Sequence, residues 1–389
     1  MDALSALKCA MRANIPAVVW GDPGVGKTAR VRQITQDELR WPLYEVIASI
    51  REPADFAGYP VPVNGHVRLV PSGEWADFAE KAEKAGGGVL FLDEISCTPP
   101  AVQAALMRVV LDRHVGELQL PSFVRVVCAA NPTGIAAGGW DLAAPLANRL
   151  VHITWPSPPV DDWLAWLISE STKPGDPARW AGAEGLRVRS LLAGFMQRFP
   201  GRLIEVPKDE ESRGRAWPSP RAWEMCARAL AEVVDPHPAE LPLDALSFLA
   251  SAAVGTGAGA ELVAWAKDAD LPDPEVVLAD PASWQVDSSR QDRVWATLAG
   301  VYASVMSKLD TKGAIPAKRW KAAWGVFGQA DKCGATGAAT AALAIPLAKA
   351  AAPGGPGFGL PITDEVYEAQ ALRREALGLP PVERPAKAA

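Results

Sequence analysis

The sequence has little from which to build a metal site or a disulfide framework. Its five cysteines stand at 9, 97, 128, 226 and 333, an odd number with no CxxC pair. Its four histidines, at 66, 114, 152 and 237, show no ligand spacing with one another or with cysteine. A structural zinc is therefore not expected, and a reducing, cytoplasmic setting is the simplest fit to the thiols. Basic charge is not in excess: 39 Lys and Arg against 45 Asp and Glu leave a net charge of −6. A surface given over to nucleic acid would be basic, so that class is disfavoured, leaving only a local basic groove open. Long apolar runs are also missing. The N-terminal MDALSALKCAMRANIP carries Asp2, Lys8 and Arg12 and lacks the apolar centre of a signal peptide. The segments 248–266 and 335–353 are rich in Ala and Gly rather than Leu and Ile, and the second contains Pro346 and Lys349, so neither reads as a membrane span. Tyrosine is scarce at 4, whereas tryptophan is plentiful at 15. The scatter of the tryptophans points to buried anchors between helices rather than one aromatic binding face.

What is present is a chain of 389 residues, 49% apolar, enough for two or three structural units with substantial cores. Over the first 155 residues short apolar runs alternate with helical patterns, the signature of a parallel sheet flanked by helices. Strands are expected at 17–20, 43–48, 89–93, 123–130 and 150–155, and helices at 3–12, 27–38, 74–84, 100–111 and 142–149. The Gly/Pro-rich stretch 51–73 reads as a loop with a hairpin turn at Asn64-Gly65, a favoured turn pair. After Pro156-Ser157-Pro158-Pro159 the strand signals stop. Helices are expected at 160–169, 184–197, 219–233, 242–266, 290–309 and 316–329, then a break at 351–361, a short helix at 364–377 and a disordered tail over 380–389. This gives an α/β core over 1–156, a helical lid over 157–270 and a helical extension over 271–389.

Residues 21–28 read GDPGVGKT, which is G-x-x-x-x-G-K-T between an expected strand and an expected helix. In that context the motif is a phosphate-binding P-loop. The glycines Gly21, Gly24 and Gly26, with Asp22, Pro23 and Val25 between them, let the backbone curl so that its N–H groups face phosphate oxygens. The following helix N-terminus favours negative charge. Lys27 reaches the β- and γ-phosphates, and Thr28 offers a hydroxyl to Mg²⁺.

Residues 89–94 read VLFLDE. Four apolar residues place the strand inside a parallel sheet, and Asp93 emerges at its carboxyl end, where open α/β sheets bind ligands. Asp93 is expected to hold the Mg²⁺ shell, through water. Glu94 is placed to polarise a water for attack on the γ-phosphate, which favours an ATPase over a kinase whose acceptor is not water.

Together these motifs resemble the AAA+ superfamily, and the surrounding stretch is similar to one clade, the MoxR-like ATPases related to magnesium-chelatase ATPase subunits. The resemblance spans roughly residues 10–235 and is carried by GDPGVGKT, LFLDEI, AVQAALMRVVLD followed by RHVGELQLP, VVCAANPTG, PLANRL and WPSPRAW. It implies a P-loop AAA+ core with a helical lid, binding of ATP and Mg²⁺, and assembly into a ring, with a hexamer expected. It places Asn131 at the sensor-1 position, beside the attacking water. It places Arg149 as a finger acting on the neighbouring subunit, although Asn148 and Leu150 replace the usual flanking Asp and Phe; an arginine capping its own helix would look the same. It places Arg221 as the sensor-2 arginine, where an ordinary first-turn arginine is the alternative. Asp112–Leu120 matches the clade's inserted hairpin, turning at Gly116-Glu117, and the loop 51–65 with Tyr59 lies where AAA+ rings often face their pore, with a tyrosine packed in its own loop as the favoured alternative. The implied function is remodelling or activation of a protein partner, with a von Willebrand factor A domain protein as the expected type. A nucleic-acid motor or loader and a nucleotide-regulated scaffold with little turnover stand as alternatives.

Overall fold

The computed structural model describes residues 1–132, 140–169, 172, 175–234, 242–269 and 271–360. The chain divides into two units, Met1–Ser157 and Pro158–Ala389.

In the first unit, α1 (Ala3–Arg12) leads into β1 (Ala17–Trp20), then α2 (Lys27–Gln33), β2 (Leu43–Ile47) and the short α3 (Pro53–Ala57). The hairpin β3 (Tyr59–Val63) and β4 (His66–Val70) follows, then α4 (Gly73–Ala85), β5 (Gly88–Asp93), α5 (Pro100–Asp112) and a second small hairpin, β6 (His114–Val115) and β7 (Leu118–Gln119). The unit closes with β8 (Val124–Ala130), α6 (Ala144–Ala147) and β9 (Val151–Thr154). The five long-range strands form one sheet in the order β2-β5-β8-β1-β9, all parallel. Alternate residues of each strand serve opposite faces, as the two-residue period of a strand requires. Val18, Leu90, Leu92, Val126 and Cys128 join the core on one side, and Ala17, Val19, Val89, Phe91, Val127 and Ala129 the core on the other. The parallel α/β architecture expected from the sequence is therefore present. Helix α2 is shorter than expected: beyond Gln33 the backbone widens into a π-helical turn over Ile34–Leu39, ended by Arg40 in the left-handed region at φ 54°.

The stretch 51–73 is more ordered than a loop. Pro53 starts α3, and Glu52 and Asp55 cap each other's backbone. The β3–β4 hairpin turns at Asn64-Gly65 as expected. It is fastened to the β6–β7 hairpin: Glu117 N–H donates to Leu69 O at 2.9 Å, Leu69 N–H donates back to the Glu117 carboxylate at 3.1 Å, and Arg68 pairs with the same carboxylate.

The second unit is helical. It contains α7 (Val160–Ser169), α8 (Ala178–Ala181), α9 (Ala183–Arg198), α10 (Glu210–Arg213), α11 (Pro220–Ala231), α12 (Leu243–Val254), α13 (Thr256–Asp268), α14 (Pro274–Ala279), α15 (Gln291–Ser307) and α16 (Ala317–Lys332). Trp180, Trp223 and Trp320 are its largest fully buried side chains, in the anchoring role the tryptophan count suggested. Helices on both sides of residue 270 contribute to one core. Phe195 packs on both Trp223 and Trp265, and Trp265 donates its indole N–H to Asp292 at 3.0 Å. One expectation is corrected here: 242–266 is two helices, not one. Gly255 breaks it at φ 87° and ψ 158°, and a Cβ there would meet the Ala216 carbonyl oxygen at 2.8 Å, so only glycine fits this corner. The helix expected at 364–377 and the tail at 380–389 lie outside the described residues. No described helix is long and apolar enough to cross a membrane.

Candidate functional site

The sheet register gathers the site. Trp20 lies beside Ala130 and Leu92 beside Cys128, so the residues that leave these three strands, Gly21, Glu94 and Asn131, emerge at one edge of the sheet. The loop 21–26 then turns with Gly24 at φ 80° and Gly26 at φ 90°, conformations that a side chain would disfavour, and α2 begins directly at Lys27.

Lys27 is almost fully buried, with 8% exposure. Its ammonium donates to the carbonyls of Gly21 at 2.7 Å and Asp22 at 3.1 Å, and to the Asn131 side-chain oxygen at 2.7 Å. Thr28 Oγ1 donates to Asp93 Oδ2 at 2.8 Å, and Asp93 Oδ1 accepts the Glu94 backbone N–H at 2.9 Å. Hydroxyl and carboxylate thus converge on one point with oxygen donors only, the ligand chemistry of a hard, partly hydrated Mg²⁺ ion. Asn131 is held from its own backbone, whose N–H donates to Ser96 Oγ at 3.0 Å.

Glu94 sits at φ 60°, an uncommon region for a residue with a side chain and one that costs free energy unless the surroundings impose it. The turn directs its exposed carboxylate toward Ser49, whose hydroxyl donates to it. Ser49 follows β2 in the short 3₁₀ turn Ala48–Ile50. No motif marks it; only the pairing of Ile47 with Asp93 brings the ends of β2 and β5 together, so sequence reasoning missed it.

The structure thus brings Lys27, Thr28, Asp93, Glu94 and Asn131 into one cluster beside the loop of Gly21, Asp22, Pro23, Gly24, Val25 and Gly26. It does not bring Arg149 there. Arg149 is exposed and donates to the Pro145 carbonyl at 2.7 Å. It precedes β9, whose Thr154 is level with Trp20. The strand alone, from Thr154 back to Val151, covers about 10 Å at about 3.3 Å per residue, and Arg149 lies two residues further back in the turn that precedes it, toward the opposite edge of the sheet. That is beyond the reach of its side chain toward its own loop. Arg221 belongs to the second unit, exposed in the first turn of α11, where Ser219 caps the helix by accepting from Ala222 N–H at 3.1 Å. Tyr59 is partly exposed and donates its hydroxyl to Asp55.

Residues 72–136 match the family described as the Sigma-54 interaction domain. The hydrogenase transcriptional regulatory protein HoxA of Cupriavidus necator is 31% identical over 166 residues, which is 38% of this chain and 32% of that protein. The Nif-specific regulatory protein of Rhizobium etli is 34% identical over 124 residues, 31% of this chain and 20% of that protein. The chain spans about a third or less of the length of these curated relatives. NtrX from Brucella abortus, in complex with ADP, aligns over 85% of this chain and 65% of its own at 17% identity and a TM-score of 0.33. The parallel sheet, with a P-loop and an acidic strand end at one edge, is an α/β P-loop fold, and the segment 72–136 is similar to part of an AAA+ ATPase domain. Mg²⁺ is the usual companion of the nucleotide in such domains.

Proposed function

We propose that the chain is a subunit of a self-assembling, Mg²⁺-dependent ATP hydrolase that remodels or activates a protein partner. The observation that carries this reading is the convergence of Lys27, Thr28, Asp93, Glu94 and Asn131 at one sheet edge. Lys27, released from the Gly21 and Asp22 carbonyls, would pair with the β- and γ-phosphates. Thr28 and Asp93 would hold Mg²⁺, Asp93 through water, and the metal would neutralise charge developing on the phosphate oxygens. Glu94 would accept a proton from the attacking water while Asn131 orients that water. Arg149, too far from its own loop, would stabilise transition-state charge at the next subunit's site, a contribution of about 10³–10⁵ in rate for arginines in this role. Arg221 would read the γ-phosphate from the helical unit.

The similarity to MoxR-like ATPases favours a hexameric ring and a partner carrying a von Willebrand factor A domain. A second reading has its own support. The match over 72–136 and the transcriptional regulators among the relatives favour a partner in sigma-54-dependent transcription. Both readings share the ATP chemistry and the protein partner, and they separate on which partner raises turnover. Stimulation by sigma-54 with RNA polymerase selects the second; stimulation by a von Willebrand factor A domain selects the first.

The shared part is tested by ATP hydrolysis against protein concentration for wild type, Arg149→Ala, Glu94→Gln and an equal mixture of the two variants. The expected result is activity that rises with concentration, is lost in each variant alone and partly returns in the mixture. Concentration-independent activity that survives Arg149→Ala would overturn both the shared site and the ring.

A further inference from the structure

Strand β9 joins the two places that the proposed mechanism needs to keep in register. At its carboxyl end, Trp155 N–H donates to Trp20 O at 2.6 Å, and the Trp155 carbonyl lies where a Cβ on Gly21 would come within 2.7 Å of it. At its amino end stands the turn 148–150 that carries Arg149. A single side chain bridges the interval. Trp20, the last residue of β1, donates its indole N–H to His152 Nδ1 at 2.9 Å, and His152 Nε2 lies 2.9 Å from the Ala147 carbonyl. The rings of Trp20 and His152 are nearly parallel, with 13° between their planes and centroids 6.0 Å apart, the edge-to-edge arrangement that this hydrogen bond requires.

The chemistry leaves one arrangement of protons. An indole N–H only donates, so Nδ1 must accept; a carbonyl only accepts, so the imidazole proton sits on Nε2. Ala147 ends the four-residue α6, and its carbonyl also accepts the Leu150 N–H at 3.2 Å. Both bonds close around the turn that holds Arg149, whose guanidinium folds back on the Pro145 carbonyl of the same helix. Nothing about an exposed edge strand calls for histidine; a β-branched residue suits the backbone better. The imidazole supplies what such a residue lacks: an acceptor and a donor at opposite corners of one rigid ring.

We propose that His152 is a positioning residue for Arg149. It ties the helix end that presents this arginine to the strand end that opens into the phosphate loop, so that each subunit's loop and the arginine it offers its neighbour are held as one piece. The inference rests on the reading that Arg149 acts on the adjacent subunit.

The test exploits that asymmetry. His152→Phe keeps an aromatic ring and loses both hydrogen bonds; His152→Gln keeps one acceptor and one donor. His152→Phe should bind a fluorescent ATP analogue within about twofold of wild type and lose about 10- to 100-fold in turnover, the scale of a displaced catalytic group. Mixed with Glu94→Gln, whose arginine is intact, it should regain turnover to the same fraction as Arg149→Ala does in the same mixture. His152→Gln should recover most of the loss alone. Should His152→Phe not fold, Trp20→Phe removes the indole donor and is read in the same way. If Arg149→Ala is rescued in the mixture and the His152 variant is not, the positioning role is wrong while the shared site stands. If neither is rescued, the intersubunit reading itself fails, and this inference with it.

Discussion

Ser49 and Glu94 show how one side chain can restrain another that a motif announces. Glu94 is turned outward by its left-handed backbone, and the Ser49 hydroxyl donates to its carboxylate. A carboxylate occupied by a donor is less available to take a proton from water. Ser49→Ala is therefore expected to raise basal ATP turnover about two- to tenfold, the equivalent of one modest hydrogen bond, with ATP affinity little altered. Steady-state hydrolysis without a partner measures this. A fall of similar size would mean that the serine aims Glu94 productively instead of restraining it. The two residues also mark the limit of what the sequence displays. The P-loop and the acidic strand end are legible because their chemistry is written into contiguous residues, and the strand before GDPGVGKT and the helix after it are legible too. Ser49 lies 45 positions from Glu94 and meets it only through the β2–β5 pairing, so no local pattern points to it. His152 is hidden for the same reason, since Trp20 and Ala147 reach it across a strand pair and a turn.

Among the elements, the strands and their order of appearance follow from apolar runs that must be buried on both faces. The corner at Gly255 does so only in part: 242–266 carries glycines at 255, 257 and 259, each a possible helix end, and the corner falls at Gly255, where the Ala216 carbonyl, distant in sequence, leaves no room for a side chain. The later helices are joined by a polar cluster that no periodicity forecasts. Glu275 in α14 accepts from Arg319 in α16 at 2.7 and 3.0 Å, from Ser304 in α15, and pairs with Lys308 at 3.1 Å. The Arg319 hydrogen bonds, opposed by burial and helped by Ser304 and Lys308, hold the carboxyl at about 2 instead of the ordinary 4.5. The folded state thus favours the charged form. The stability it contributes is present above the unfolded value of 4.5 and is lost as pH falls through that window toward 2. Glu275→Gln should lower unfolding stability by about 2 kcal/mol at neutral pH, the scale of hydrogen bonds to a charged group. Denaturant titrations of both proteins should converge between pH 4.5 and 2. A constant difference across that range would show that packing around residue 275, not its charge, carries the effect.

At the scale of the whole molecule, the chain divides into two units, Met1–Ser157 and Pro158–Ala389. Each has its own core: the sheet of the first is sandwiched between two apolar layers, and the helices of the second close on a single tryptophan-rich interior. In the proposed mechanism the second unit meets nucleotide through an exposed side chain, Arg221. A cation in the first turn of a helix faces unpaired N–H groups and the positive end of the dipole. Exposed there, with the cap of α11 already supplied by Ser219, it contributes nothing evident to the helix itself. An anion brought to that helix end would reverse the sign of the interaction. Arg221→Ala is accordingly expected to leave thermal stability nearly constant, to weaken ATP more than ADP, and to reduce turnover about 10- to 1,000-fold, the range for losing one donor aimed at developing charge. Calorimetric affinities for ADP and for a non-hydrolysable ATP analogue, taken beside steady-state hydrolysis, provide the check. Equal weakening of both nucleotides would place Arg221 on the diphosphate rather than the γ-phosphate, and unchanged affinity with full turnover would remove the helical unit from the chemistry.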